Sequence, residues 1–103
     1  MTFEIAPKCT ETHSSWDEAI LYCMFLEVDG KKGWRLPTKE ELKVIYHTCQ
    51  PYHYVPTNMF VDAYYWSAIE DSGDLAWFMD MSNGYAYSGF KGNHGYVIAV
   101  RDV

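Results

Sequence analysis

The N-terminal part of the chain first alternates briefly between apolar and polar residues. Its apolar residues then recur at the three- and four-residue spacing of a helix. Residues 2–6 alternate apolar and polar and stop at Pro7, which predicts a short edge strand. Ser15 and Glu18 then have the spacing of a helix-capping box, and Asp29-Gly30 marks a stop. The pattern between them predicts a first helix from about 16 to 27. Its inward-facing positions would be Trp16, Ala19, Ile20, Cys23, Met24 and Val28.

The segment 33–42 connects this helix to a second one. Pro37 restricts the residue before it to extended backbone, and Thr38 with Glu41 repeats the capping-box spacing. A second helix is therefore predicted from about 39 to 48, and Pro51 ends it. Its inner face would carry Leu42, Ile45, Tyr46 and Cys49. Residues 50–62 contain two prolines and several rings, which predicts an ordered loop.

From residue 64 the period becomes two, as is typical of strands. The pattern predicts strands at 64–70, 75–82, 85–91 and 96–103 that follow one another as an antiparallel meander. Asn83-Gly84 predicts a two-residue hairpin, and the apolar residues on both faces of 75–82 predict a central strand. We therefore expect one α+β domain over residues 1–103. Two helices would be followed by an antiparallel meander that both termini close.

The composition argues against several classes of function. Of the 103 residues, 49% are hydrophobic and 17% aromatic, enough for a core without metal or disulfides. A net charge of −6 is unfavourable for binding nucleic acid. No apolar run could cross a membrane, and the N-terminus does not resemble a signal peptide, so we expect a soluble protein made in the cytoplasm. The odd number of cysteines allows one disulfide, but we expect Cys9, Cys23 and Cys49 to be reduced and mostly buried.

Short motifs along nearly the whole chain follow one another in a characteristic order: Trp16, Ala19 and Cys23; residues 33–42; Phe60; Tyr65-Trp66-Ser67; Ala76; Gly84; and Val100-Arg101-Asp102-Val103. That order resembles the Lcl C-terminal-like domain of bacterial surface proteins and phage proteins. The segment Trp34-Arg35-Leu36-Pro37-Thr38, followed by Tyr65-Trp66-Ser67, is the specific part. The resemblance implies a C-type-lectin-like fold, in which the two helices pack on a twisted antiparallel sheet and the termini are adjacent. It also implies a role in adhesion, in carbohydrate binding or in a phage particle.

Metal binding and covalent chemistry have little support in the sequence. The triplets with which calcium-dependent lectins of this fold chelate calcium and sugar are missing. Glu70, Asp71 and Asp74 could offer oxygen ligands, but as a solvated turn they need no ion. The histidines and cysteines lack the spacing of a zinc site. No cysteine lies in the later strands, where a catalytic pair of cysteines would be expected in this broad fold. We expect no cofactor and no enzymatic activity.

The candidate ligand-binding residues are exposed rings with neighbouring amide and imidazole groups, which are typical of recognition surfaces. They are Tyr52, His53, Tyr54, Tyr85, Tyr87, Asn93, His94 and Tyr96. Lys91 would share a face with Tyr85 and Tyr87. An alternative is that these tyrosines only cover the sheet. Arg35 and Arg101 are expected instead to hold the fold together through carboxylates or carbonyls.

Two hypotheses about function follow. In the first, the chain is a non-catalytic module that binds a glycan or a protein surface, for instance in a phage particle. In the second, it is an intracellular protein-interaction or inhibitor protein, for example one that a phage encodes against a host protein. The family resemblance favours the first, and the absence of a signal peptide favours the second. Both are compatible with a homo-oligomer or a larger assembly.

Overall fold

The computed structural model describes residues 3–49 and 64–103, except for the side chains of Lys8, Thr48 and Cys49. This part of the chain is α+β, as predicted, with two helices and seven strands. The predicted loop at 50–62 lies outside it. The elements are β1 (Phe3–Ile5), a 3-10 turn (Lys8–Thr10), β2 (Thr12–Ser14), α1 (Trp16–Phe25), α2 (Lys39–Cys49), β3 (Tyr64–Ser72), β4 (Leu75–Asp80), β5 (Tyr85–Phe90), β6 (Gly95–Val97) and β7 (Val100–Asp102).

The strands form a five-stranded sheet in the order β2-β6-β3-β4-β5 and a two-stranded sheet of β1 and β7. β3, β4 and β5 are the predicted antiparallel meander. The last predicted strand, 96–103, is wrong because it divides into β6 and β7, which belong to different sheets. β6 runs parallel to β3, with Tyr65 opposite Tyr96, so the sheet is mixed. After β5, at one edge of the sheet, the chain crosses to the far side of β3 without reversing direction, and places β6 between β2 and β3, so a meander cannot result.

The pairing of β1 with β7 confirms that the two ends of the domain are adjacent. Phe3 lies opposite Asp102, and Ile5 lies opposite Val100, in an antiparallel register. Ala6 continues the contact, because its N–H donates to the Ala99 carbonyl at 2.9 Å. The first and last described segments therefore support each other through main-chain hydrogen bonds.

The turn between β4 and β5 differs from the predicted two-residue hairpin. Asp80 pairs with Tyr85, which leaves a four-residue loop at 81–84. The Asp80 carbonyl accepts from the Gly84 N–H at 2.7 Å, and its carboxylate accepts from the Ser82 N–H at 2.9 Å. These bonds stabilise the longer loop, and Gly84 supplies the positive φ of 77° that it requires.

The sheet separates two apolar clusters, and neighbouring residues of its strands alternate between them. Trp66 belongs to the cluster under α1, and Tyr65 belongs to the cluster under α2. The α1 cluster contains Ala6, Trp16, Ala19, Cys23, Trp34, Leu36, Trp66, Ala76, Val97 and Ala99. The α2 cluster contains Leu42, Ile45, Tyr65, Met79, Met81, Ile98 and Val100. The two helices therefore cover opposite faces, and β4 is buried from both sides as a central strand.

The segment before α2 is bonded to both sheets through its backbone. The N–H of Arg35 donates to the Val100 carbonyl at 2.7 Å, and the Val100 N–H donates back at 2.8 Å. Two residues on, the Pro37 carbonyl accepts from the Ala68 N–H at 2.7 Å, where β3 is interrupted by a bulge. The extended conformation that Pro37 favours thus places this segment between β7 and β3.

Arg35 also binds two carboxylates with its side chain, which confirms its predicted structural role. Its guanidinium donates to both oxygens of Glu41, at 2.7 and 2.8 Å, and to Asp102 at 2.8 Å. The hydrogen bonds from Arg35 hold the pKa of Glu41 below its ordinary value. Glu41 completes the capping box by accepting from the Thr38 N–H at 2.9 Å. One buried carboxylate therefore links the start of α2 to β7.

Gly84→Ala should destabilise the domain, because alanine would face both an unfavourable φ and a ring. A Cβ at this position would lie 2.6 Å from a carbon of the Tyr46 ring. We expect a loss of about 2 kcal/mol in the free energy of unfolding, measured by urea denaturation. Gly92→Ala is the control, since nothing lies within 4 Å of its added Cβ. Equal losses in the two variants would contradict this account of the turn.

Arg35→Ala should be more costly, because it leaves Glu41 buried without its cation. We expect a loss of about 3 kcal/mol in the free energy of unfolding. Lys32→Ala is the matched control: its exposed pair with Glu27 spans 3.8 Å, and its removal should cost less than about 1 kcal/mol. Chemical denaturation at neutral pH measures both. A loss for Arg35→Ala no larger than that of the control would contradict the structural role.

Candidate ligand-binding groove

An aromatic surface covers part of the sheet face that also carries the α1 cluster. The strand register aligns Trp66, Phe78 and Tyr87 in one row across β3, β4 and β5. The centroid of the Phe78 ring lies 4.9 Å from that of Tyr64, 5.9 Å from that of Trp66 and 6.0 Å from that of Tyr87. Tyr64, Tyr85 and Tyr87 remain exposed. Contact with the Phe78 ring therefore holds Tyr64 and Tyr87 in place.

A groove of about 260 Å³ lies between these rings and the turn that precedes β6. Tyr64, Trp66 and Phe78 line it together with Asn93 and His94. The remaining lining residues are Ser88, Gly89 and Gly95. Aromatic rings thus share this groove with an asparagine and a histidine.

Two glycines give the groove its shape. A Cβ at Gly89 would lie 2.9 Å from a carbon of the Phe78 ring, and one at Gly95 would lie 2.9 Å from Nε1 of Trp66. Nε1 of Trp66 donates to the Ser14 carbonyl at 3.0 Å, which fixes the indole. The backbone of β5 and β6 can therefore approach the rings closely, and side chains at these positions would displace them.

The structure brings some of the predicted binding residues together and separates others. Asn93 and His94 line the groove, and Tyr87 and Tyr85 continue the aromatic surface away from it. Tyr96 faces the other side of the sheet, where its ring lies 5.5 Å from that of Tyr65 and 4.7 Å from that of His13. Tyr52, His53 and Tyr54 lie outside the described residues. Binding by any of these residues stays a prediction.

Lys91 cannot serve a ligand in the way the sequence suggested. Its ammonium group donates to the Glu70 carboxylate and, at 2.9 Å, to the Gly73 carbonyl. The same group lies 4.7 Å from the centroid of the Trp16 ring. Lys91 is thus engaged in closing the β3–β4 turn against the start of α1.

Sequence patterns did not identify the wall of the groove formed by Tyr64 and Phe78. Phe78 was expected only as part of a central strand, and Tyr64 only as the start of one. The two residues become neighbours through the antiparallel register of β3 and β4, in which Tyr64 lies opposite Asp80 and Trp66 opposite Phe78. The period-two pattern of each strand signals which residues share a face, but the register follows only from the folded structure.

The outer face of α1 carries a second apolar surface that the sequence pattern also missed. Leu21, Met24 and Phe25 are 53%, 63% and 80% exposed. The prediction that Met24 faces the core is wrong, and the helix ends at Phe25 instead of about residue 27. α1 is apolar around most of its circumference, so its periodicity did not show which side is buried. The spacing of these three residues at i, i+3 and i+4 places them on one helix face, and this spacing was the sequence signal for the exposed apolar surface.

Titratable groups in the described part of the chain do not form a metal-binding cluster. No three histidine, cysteine, aspartate or glutamate side chains there lie close enough to hold a metal ion. Burial raises the pKa of the Cys23 thiol to about 12, which disfavours the thiolate. Cys9 is free and exposed, so the expectation of mostly buried cysteines holds for Cys23 and fails for Cys9. No helix among the described residues is long and apolar enough to span a membrane.

Fold and groove together define a small α+β domain whose sheet presents an aromatic surface. The segments that suggested a family are in direct contact: Nε1 of Trp16 donates to the Ser67 carbonyl at 2.8 Å, and Pro37 binds Ala68. The family model for the Lcl C-terminal domain matches residues 5–101, so the chain belongs to this family. A search of curated proteins found no matching sequence.

The two described thiols should differ sharply in reactivity. Iodoacetamide should modify Cys9 in the native protein, because this thiol is exposed. Cys23 should react only after unfolding, since burial protects it and raises its pKa. Peptide-level mass spectrometry before and after urea treatment measures both. Rapid native modification of Cys23 would contradict the described core.

Proposed function

We propose that the domain is a non-catalytic binding module of C-type-lectin-like fold that recognises a glycan in the groove beside Tyr64 and Phe78. The observation that carries the proposal is that three aromatic residues line one groove with Asn93 and His94. Sugar rings offer apolar C–H faces that stack on aromatic side chains and hydroxyl groups that bind amides and imidazoles. Residues of both kinds line the groove.

The size of the groove supports a small ligand unit. Pockets for drug-sized ligands have volumes of about 300 to 1000 Å³, and the groove, at about 260 Å³, lies just below that range. One sugar residue suits it better than an extended oligosaccharide. Further units of a longer glycan would extend over the exposed rings of Tyr87 and Tyr85.

Hydrogen bonding in the groove needs no metal ion in this proposal. The Asn93 side chain offers both a donor and an acceptor, and so does a neutral His94. The His94 ring lies 5.5 Å from that of His13, centroid to centroid, and the same His13 ring lies 4.7 Å from that of Tyr96, so His94 stands at the edge between the groove and the other side of the sheet. Binding would therefore be independent of calcium, unlike that of lectins that chelate sugar hydroxyls through the ion.

The family membership supports the fold and the setting of this proposal. Adjacent termini and two helices on a sheet agree with a C-type-lectin-like arrangement. In such a domain the exposed rings of the sheet face outward. Adhesion to a cell surface, or attachment of a phage particle to its host, would use the domain in this way.

A glycan array with the labelled full chain, followed by calorimetry on the best glycan, tests the proposal. Tyr64→Ala and His94→Ala should each weaken binding about tenfold or more, with the melting temperature nearly unchanged. Phe25→Ala, which removes an exposed ring from α1, should leave the affinity unchanged. EDTA should also have no effect. The proposal fails if no glycan binds, or if bound glycans are insensitive to both groove variants.

A second candidate function is protein interaction, for example inhibition of a host protein inside the cell. The exposed stripe of Leu21, Met24 and Phe25 favours it, because exposed apolar side chains grouped on one helix face are typical of partner surfaces. Phe25→Asp should then abolish co-purification of one stoichiometric protein that Tyr64→Ala still binds. The opposite pattern would support the groove instead.

A further inference from the structure

The positive charges of the chain are paired, with one local exception. Eight lysines and arginines occur, and Lys8 lies outside the described side chains, which leaves seven. Five of these bind carboxylates: Lys31, Lys32, Arg35, Lys91 and Arg101. Within the described structure, Lys39 and Lys43 form no ion pair. In a chain with a net charge of −6, two adjacent unpaired cations indicate a place for an external anion.

Both lysines line the same groove, which lies between α2 and the β4–β5 hairpin and has a volume of about 560 Å³. Val44, Met79 and Ala86 give it an apolar lining. His47 and Glu40 are further lining residues, and the Glu40 carboxylate pairs with neither lysine. Nζ of Lys39 lies 4.1 Å from the centroid of the Trp77 ring, which holds it at the groove without neutralising it. Apolar lining and cationic wall together suit a ligand that is apolar and acidic.

One side of this groove is an open strand edge. β5 is the last strand of the five-stranded sheet, and Tyr85 and Ala86 line the groove. The Tyr85 N–H is bound by Oδ1 of Asn83 at 2.9 Å, and the Phe90 carbonyl by the Asn93 N–H at 3.0 Å. Between them, at 86–89, the outer main-chain groups of β5 have no partner among the described residues. Such an edge accepts an extended peptide as an added strand.

We propose that this edge and groove bind an extended acidic peptide segment of a partner protein. The peptide pairs with β5 along 86–89 and inserts an apolar side chain toward Val44 and Met79. An aspartate or glutamate two residues away points to the same side of the added strand and binds Lys43 and Lys39. The strand edge favours a peptide over a free fatty acid, which would leave these main-chain groups unused.

This site meets the proposed glycan groove at β5, because Ser88 and Gly89 of the strand edge also line that groove. The peptide would lie against α2, whereas Tyr64 belongs to the surface on the α1 side of the sheet. Lys39 and Lys43 do not line the glycan groove, so their variants test the peptide proposal alone. A domain with both sites would connect its glycan target to a protein partner.

A phage-displayed library of random peptides of about ten residues, selected on the full chain, provides the probe. Enriched peptides should carry an acidic residue two positions from a Val, Ile, Leu or Phe. A fluorescein-labelled enriched peptide should lose about tenfold or more in affinity on the double variant Lys39→Gln/Lys43→Gln. Lys31→Gln/Lys32→Gln is the matched control and should leave the affinity unchanged. NMR should show the peptide shifting the amides of 86–89 and leaving that of His94 unaffected.

Backbone pairing is tested by N-methylating the same peptide at odd or at even positions. One of the two sets should abolish binding, because alternate N–H groups of an added strand point toward its neighbour. The proposal is overturned if no peptide is enriched, if enriched peptides lack acids, or if the lysine double variant binds as well as the control. Binding of decanoate that depends on Lys39 and Lys43, without enrichment of peptides, would assign the groove to an anionic amphiphile and also overturn it.

Discussion

The ion pair of Arg35 with the buried Glu41 is the interaction on which the arrangement of the domain depends. The guanidinium reaches the first turn of α2 through Glu41 and the end of β7 through Asp102, while the backbone of Arg35 pairs with Val100. Helix, terminal sheet and connecting segment therefore meet at one residue. Because Glu41 is buried, loss of its cation would leave an uncompensated charge away from water. The stretch that matches the Lcl C-terminal domain family thus includes the residues that hold the domain together.

The surfaces proposed for binding lie away from this junction and depend on it indirectly. Pro37 binds the bulge of β3 at Ala68, and the buried Ser67 hydroxyl donates to the Trp77 carbonyl at 2.8 Å. These contacts set the position of β3 relative to β4. They thereby also set the spacing of the rings that line the aromatic groove. The groove with Lys39 and Lys43 lies against the β4–β5 hairpin, which shares β4 with the aromatic groove. β4 thus contributes to two chemically different surfaces.

Local features of the sequence predicted local structure well. Both capping boxes form, because Ser15 with Glu18 and Thr38 with Glu41 need only a few neighbouring residues to define them. The order of the sheet was not predictable in this way, since β6 joins β3 through a crossover that no turn motif signals. Asn93 and His94 were identified from composition and lie at the aromatic groove, whereas Tyr64 and Phe78 join it only through strand register. The exposure of Met24 was not predicted, because α1 is apolar around most of its circumference and its periodicity could not distinguish the buried side.

A double-mutant cycle of Arg35→Ala and Glu41→Ala, measured at two pH values, tests the central claim most directly. The pKa of Glu41 is depressed in the folded state, so the pair stabilises the fold above the ordinary value of 4.5, and this stabilisation is lost as the pH falls through the lower folded pKa. We expect a coupling energy of about 2 kcal/mol near neutral pH, falling toward zero at the lowest pH at which the wild type stays folded. A coupling energy near zero at neutral pH, or one that does not change with pH, would contradict the account.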